Sequence, residues 1–300
     1  MNSELYHHVL ITIRFVGTRY HGFQVQRNAL SVCEVLQNAL EQLYGTRPPV
    51  KGCSRTDAGV HALGYCVSYF QPKPIEPRRL PLAVNRFLPE DIRVTQACAV
   101  PGDFHARYSA ESKEYIYRIH NSSIADPFQN GLCWRVPTRL DDAAMARAAG
   151  ALVGTPDFAA FCSVGSDVAD TVRTVHFARV RRTGEDITCH VCANGYLYNM
   201  VRIMVGTLVE AGAGRMPPQR MREVIEGKDR SAAGDTAPPQ GLFLYRVNYP
   251  PFDTACDARG QGAEETAEPE AQDRSTRKLQ GGDAGAAGMP VPPGQRAKVF

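Results

Sequence analysis

The sequence lacks the signatures of several large protein classes. No apolar run in its 300 residues reaches the roughly 18 residues that a membrane-spanning helix needs. The patterns GxGxxG, GxxxxGK[ST], HExxH and GxSxG are all absent, which argues against Rossmann enzymes, P-loop NTPases, HExxH metalloproteases and α/β-hydrolases. The opening MNSELYHH has no charged region followed by an apolar block, so we expect no cleavable presequence and a cytoplasmic location.

Neither sign of charge is in large excess, and the formal net charge is +3. The residues from Asp253 onward carry 8 acidic and 6 basic side chains, which leaves 28 Lys and Arg against 23 Asp and Glu in residues 1–252. A mildly basic body is compatible with a polyanionic partner without requiring one. The nine cysteines are an odd number and fall mostly within apolar patterns, so we expect reduced thiols rather than a disulfide framework.

Strand-like and helix-like segments alternate along the chain, which predicts an α+β fold. The predicted strands are Val9–Phe15, Gly64–Gln71, Ile92–Cys98, Lys113–His120, Val172–Arg182, Ile187–Ala193 and Phe243–Tyr249. The predicted helices are Ser31–Gly45, Asp141–Val153, Leu197–Ala211 and Pro218–Glu226. Ser31 and Glu34 form a capping box at the start of the first helix, and Gly45 ends it.

The length suggests about two domains. A boundary near Pro101–His105 would give an N-terminal α+β domain of residues 1–104 and a C-terminal α+β domain of residues 105–252. Residues 253–300 are rich in Gly, Ala, Pro and charge and have few large apolar side chains, so we expect a disordered low-complexity tail.

Two short motifs have simpler interpretations than the functions they suggest. Cys189-His190-Val191-Cys192 offers metal-binding side chains, but no second pair lies at a suitable spacing, so a buried strand is favoured and no metal site is predicted. The glycines of Val209–Gly214 follow a helical pattern rather than a strand, which favours a helix end over a nucleotide-binding loop.

The segment Ser54–Ala62, with the sequence SRTDAGVHA, carries the most information. Thr-Asp-Ala-Gly alone is typical of a turn in which the Asp side chain bonds its own backbone. An aspartic-protease site is disfavoured, because such sites need two carboxylates that share a proton, whereas Ala58 follows Asp57 and the motif occurs once.

The whole nonamer closely resembles the catalytic loop of the tRNA pseudouridine synthase A family, the TruA type. Further segments resemble family blocks in the same order, with Phe23 where the family usually has tryptophan. These segments are Tyr20–Gln24, Asn85–Ile92, Asp103–Ala110, Lys113–Tyr117, Asp157–Phe161, Asn199–Arg202 and Gly241–Leu242. The resemblance covers the chain from about Val9 to Tyr249 and leaves out the tail.

The resemblance implies a pseudouridine synthase fold, with mixed, mostly antiparallel sheets and flanking helices around a central RNA-binding cleft. It implies isomerisation of uridine to pseudouridine in the anticodon stem-loop of tRNA, where the family's usual targets are positions 38, 39 and 40. The base must be flipped out of its stem to be reached. The resemblance also implies a homodimer that needs no metal or redox cofactor.

Carried over residue by residue, the resemblance gives Asp57 the role of the catalytic carboxylate and Arg202 the role of its ion-pair partner. Tyr115 matches the tyrosine that stacks on the target base and is thought to help remove the C5 proton, and Arg55 matches a residue that holds the flipped state. Without the resemblance, Arg202 would be expected to extend to solvent, Tyr115 to be a core residue and Arg55 a solvated turn residue.

Nine basic residues are candidates for RNA phosphate contacts, because RNA duplexes are recognised mainly through phosphates, 2′-hydroxyls and shape. They are Arg78, Arg79, Arg86, Arg107, Lys113, Arg118, Arg179, Arg181 and Arg182. Two alternatives stay open: a non-catalytic RNA-binding protein, and an RNA methyltransferase that uses Cys53 or Cys66. The first does not require Asp57, and the second needs a methyl-donor site that the sequence does not show.

Overall fold

The computed structural model describes residues 6–163, 165 and 168–252, and the tail predicted at residues 253–300 lies outside them. The strands are β1 (His8–Phe15), β2 (Val50–Gly52), β3 (His61–Phe70), β4 (Ile92–Ala99), β5 (Ser112–His120), β6 (Trp134–Arg135), β7 (Val175–Thr183), β8 (Asp186–Ala193) and β9 (Leu242–Asn248). The helices are α1 (Val32–Tyr44), α2 (Leu80–Asn85), α3 (Asp142–Gly150), α4 (Met200–Gly212) and α5 (Arg220–Gly227).

All nine strands belong to one sheet in the order β4-β1-β3-β9-β5-β8-β7, with β2 added to β3 and β6 added to β5. The β3–β9 and β5–β6 pairs are parallel, and the others are antiparallel. The predicted α+β class with a mixed, mostly antiparallel sheet is therefore confirmed. The division at residue 104 stays a prediction, although the short β3–β9 contact is where strands from the two predicted domains meet.

Local signals explain helix α1 and the hairpin that β7 and β8 form. The Ser31 hydroxyl accepts a hydrogen bond from the Glu34 backbone N–H at 3.2 Å, and Gly45 ends α1 with a φ of 74°. The face of α1 that carries Leu36 and Leu40 is buried. Gly184, with a φ of 62°, makes the tight turn between β7 and β8.

Several element boundaries differ from the predictions. Helix α4 begins at Met200 rather than Leu197. Asn199 has a φ of 61°, which is outside the range of a right-handed helix, so the helix cannot include it. Strand β3 begins at His61, three residues before the predicted start. The short elements α2, β2 and β6 were not predicted, since two to six residues carry too little periodicity.

The segments Cys189–Cys192 and Val209–Gly214 form a strand and a helix end. Cys189 is buried in β8, whereas His190 faces the other way and bonds Glu114 Oε2 at 3.0 Å, so the strand interpretation is confirmed. Helix α4 ends at Gly212, which confirms that the glycines there terminate a helix. Within the described residues, no three His, Cys, Asp or Glu side chains cluster closely enough to bind a metal ion. Among these same residues, no helix combines the length and apolar character needed to cross a membrane.

Candidate active site

Asp57 lies in the connection between β2 and β3, and backbone contacts hold this connection in place. Gly59 N–H donates to the Tyr20 carbonyl at 3.1 Å, and Val60 N–H donates to the Asp57 carbonyl at 3.2 Å. Gly22 has a φ of 79°, and a Cβ atom there would lie 2.1 Å from the Thr56 carbonyl oxygen. The segment that contains Tyr20 and Gly22 therefore packs directly against the Asp57 loop.

Arg202 reaches from the first turn of α4 to the Asp57 carboxylate. Its Nη1 lies 3.1 Å from Asp57 Oδ2, and the exposed fractions of the two side chains are 15% and 31%. Nη1 also donates to Asn199 Oδ1 at 2.7 Å, and Nε donates to the Ala237 carbonyl at 2.7 Å. These bonds fix the guanidinium, so Arg202 does not extend to solvent as its residue type alone would suggest.

Tyr115 lies on β5 with only 6% of the residue exposed. Its hydroxyl is 3.4 Å from Ser54 Oγ, and its ring makes an edge contact with Tyr196 at a centroid distance of 4.9 Å. Burial raises the pKa of Tyr115, and the nearby Asp57 adds to the rise while the Ser54 hydrogen bond opposes it. The phenol therefore keeps its proton at neutral pH.

Asp57, Arg202, Tyr115 and Arg55 all line one cleft, which has a volume of about 950 Å³. Arg55 is exposed, whereas the other three are at least partly buried. A cleft of this size and mixed polarity is large enough for a nucleotide. The structure thus brings together the four residues that the family resemblance selected. Their individual roles stay proposals.

Only two of the nine candidate phosphate contacts line this cleft, namely Arg107 and Lys113, and they are joined there by Arg173, which was not predicted. Burial lowers the pKa of Lys113. The other seven are elsewhere, and most have local partners. Arg78 and Arg79 pair with Glu76, Arg118 stacks on Phe243, Arg179 stacks on Phe177, and Arg182 bonds Asp142 and Asn121, while Arg86 and Arg181 are exposed.

Sequence reasoning missed two groups that support the site. Asn199 precedes Arg202 by three residues, and its left-handed backbone places its amide beside the guanidinium. Asparagine adopts a positive φ more readily than most residues, but the residue lies inside the helix predicted from Leu197, so the sequence pattern did not mark it. Ser54 meets Tyr115 across 61 residues of sequence, and no local pattern indicates that contact.

Comparisons with known proteins identify the family of this chain. A family model described as tRNA pseudouridine synthase matches residues 11–109 and 148–250. The chain is therefore a pseudouridine synthase, an isomerase that acts within one substrate molecule. Curated relatives named tRNA pseudouridine synthase A, from Thermoanaerobacter sp. (strain X514), Ruminiclostridium cellulolyticum and Bacillus licheniformis, are 43%, 42% and 41% identical to it.

These alignments cover 80%, 80% and 79% of this chain and 99%, 99% and 97% of the three relatives. The chain belongs to the tRNA pseudouridine synthase A family. A chain of a solved Cbf5-Nop10-Gar1 complex aligns with 67% of this chain over 45% of its own length, with a TM-score of 0.32 and 12% identity.

The two alternative functions do not fit this family. The non-catalytic alternative is wrong, because the family is one of enzymes. The methyltransferase alternative needs a reactive thiol, whereas Cys53 and Cys66 are both buried. Burial raises the pKa of both thiols, that of Cys66 to about 11, so neither provides the thiolate nucleophile that such chemistry requires.

Proposed function

We propose that this enzyme isomerises uridine to pseudouridine in the anticodon stem-loop of tRNA, at positions 38, 39 and 40, and that the Asp57 carboxylate is its reacting group. The observation that carries this proposal is the Asp57–Arg202 pair at 3.1 Å, set in the same cleft as Tyr115 and Arg55. The relatives' shared name supports tRNA as the substrate.

The reaction is balanced without a co-substrate. The glycosidic bond between C1′ and the ring nitrogen breaks, a bond between C1′ and C5 forms, and the C5 proton is replaced by a proton on the freed nitrogen. A carboxylate acts as a nucleophile or base only when it is ionised and accessible. Arg202 provides the compensating positive charge for Asp57, which keeps about a third of its side chain exposed to the cleft.

A base within an RNA stem has to leave the stack before Asp57 reaches it, and the extruded base then needs an aromatic surface. We assign that surface to Tyr115, whose ring is held by Tyr196 and whose hydroxyl is held by Ser54. We assign its hydroxyl to help remove the C5 proton as a relay, which gives up its own proton as it takes the one from C5, because the phenol is protonated at rest. Arg55 is exposed at the cleft and is assigned to the RNA that carries the flipped nucleotide.

We also propose that the enzyme works as a homodimer in which one tRNA contacts both subunits. This part rests on family membership. Light scattering of the protein with and without tRNA tests it, and a complex of one subunit with one tRNA would contradict it.

The proposed activity is tested with unmodified tRNA transcripts and no added cofactor, followed by pseudouridine mapping at single-nucleotide resolution. Transcripts with a single uridine at position 38, 39 or 40 are expected to be modified there, and matched transcripts with cytidine at the same position are not. Pseudouridine found only outside the anticodon arm would overturn the proposed target. No pseudouridine in any transcript would overturn the proposed activity on tRNA.

A further inference from the structure

His61 is the last residue but one of the SRTDAGVHA segment, and the reaction proposed above does not use it. It is fully buried at the start of β3, four residues after Asp57. Gly17 N–H donates to His61 Nδ1 at 2.9 Å. Because a backbone N–H can only donate, Nδ1 carries no proton, and the ring proton lies on Nε2, which donates to the Gln240 carbonyl at 3.2 Å. Both ring nitrogens are therefore used in a single tautomer.

The surroundings of His61 favour this neutral ring. Burial lowers the pKa of His61, the positive charge of Arg118 adds to the lowering, and the carbonyls of Gln240 and Gly131 oppose it. The imidazole also stacks on Phe243, with a centroid distance of 4.6 Å and an angle of 24° between the rings. A protonated ring would turn Nδ1 into a donor that faces the Gly17 N–H.

The two hydrogen-bond partners of His61 are Gly17 and Gln240. One lies beside the loop that carries Asp57, and the other is in the segment that bonds Arg202. On one side, the Gly17 backbone is packed against the Asp57 loop, since a Cβ at Gly17 would lie 1.9 Å from the Val60 carbonyl oxygen. On the other side, Gln240 follows Ala237 by three residues. Ala237 accepts the Arg202 Nε bond at 2.7 Å, and its N–H donates to the Arg202 carbonyl at 3.1 Å.

We propose that His61 is a positioning residue. As a neutral imidazole, it fixes the position of the Asp57 loop relative to Ala237–Gln240, the segment that supports Arg202. This inference rests on the proposed function of Asp57 and Arg202. His61 is not among the residues that line the cleft, so it acts through others and makes no contact with the base. Its loss should slow the chemical step, because small displacements of reacting groups are costly, and should leave tRNA binding intact.

The test compares two substitutions at His61. His61→Phe keeps a planar ring against Phe243 but removes both hydrogen bonds, and kcat for tRNA is expected to fall about 10- to 100-fold. His61→Asn keeps an oxygen that can accept the Gly17 N–H, so its kcat should fall less. In both variants the KM for tRNA should stay within about twofold of the wild-type value.

His8 offers a matched control elsewhere in the same sheet. It is also buried, stacks on Phe70 at 4.1 Å, and donates from Nδ1 to the Pro101 carbonyl at 2.7 Å. His8→Phe should lower the melting temperature to a similar degree while kcat stays unchanged. An equal fall in kcat for His8→Phe and His61→Phe would show a general effect of destabilisation and would overturn the inference.

Other outcomes also decide the matter. An unchanged kcat in His61→Phe, or a raised KM with an unchanged kcat, overturns the positioning role. If the variants fail to fold, the ¹⁵N NMR spectrum of the wild-type protein decides, because a protonated Nδ1 in His61 contradicts the assigned tautomer. A wild-type enzyme that forms no pseudouridine in tRNA overturns the proposed function itself, which separates that failure from a failure of this inference.

Discussion

Replacing Arg202 by methionine tests the ion pair at the centre of the site. At 3.1 Å and an effective dielectric constant of about 20, the attraction between the Arg202 and Asp57 charges is about 5 kcal/mol. The desolvation of both groups offsets part of this attraction. We expect a net loss of about 3 kcal/mol of transition-state stabilisation, which corresponds to a fall of about 100-fold in the rate of pseudouridine formation.

The assay is single-turnover pseudouridine formation on saturating tRNA, with the melting temperature as a folding check. Arg202→Lys keeps the charge but loses the fork that bonds Asp57, Asn199 and Ala237 together, so it should be intermediate, at about tenfold slower. Arg215 is the control, because it pairs at 2.6 Å with Glu210 of α4, the helix that carries Arg202, but is more than half exposed. Arg215→Met should leave the rate unchanged. A rate for Arg202→Met within twofold of wild type would refute the reasoning.

Two other perturbations test separate parts of the account. Tyr115→Phe should keep fold and tRNA binding but turn over more slowly, and Tyr115→Ala should lose activity; a fully active Phe variant would contradict a role for the hydroxyl. The hydrogen bond to Asp186 raises the pKa of His120 above 6.5, the ordinary histidine value. The His120–Asp186 pair therefore stabilises the fold fully below about pH 6.5, and this stabilisation is lost as the pH rises through the raised pKa. In urea unfolding, Asp186→Asn should therefore cost up to about 1 kcal/mol at pH 5.5 and less at pH 8.5, and an equal cost at both would contradict this.

The parts of the fold that local chemistry specifies could be predicted from the sequence. Helix α1 has its cap at Ser31, its apolar face and its terminal Gly45 within one segment. The parallel β3–β9 pair could not be predicted, because it consists of His61 against Phe243 and Ala62 against Leu244, about 180 residues apart. The meeting of these two strands brings the Asp57 loop close to the segment that supports Arg202.

The site shows the same division. The turn at Asp57 can be predicted from its residues, and its importance came from the resemblance of the whole nonamer. Without the resemblance, the direction of the Arg202 side chain could not be predicted, because α4 is buried on nearly every side and its pattern does not single out a face. His61 gave no signal, since a histidine in an apolar strand has the same pattern whether it supports the site or only fills the core.

The central claim is that the Asp57 carboxylate performs the reaction, and Asp57→Asn tests it most directly, because asparagine keeps the shape and removes the charge. The measurement is single-turnover pseudouridine formation on an unmodified tRNA, together with the Kd for that tRNA at one stated salt concentration. The account predicts no product above the uncatalysed background and a Kd within about threefold of the wild-type value. Pseudouridine formation near the wild-type rate would contradict it.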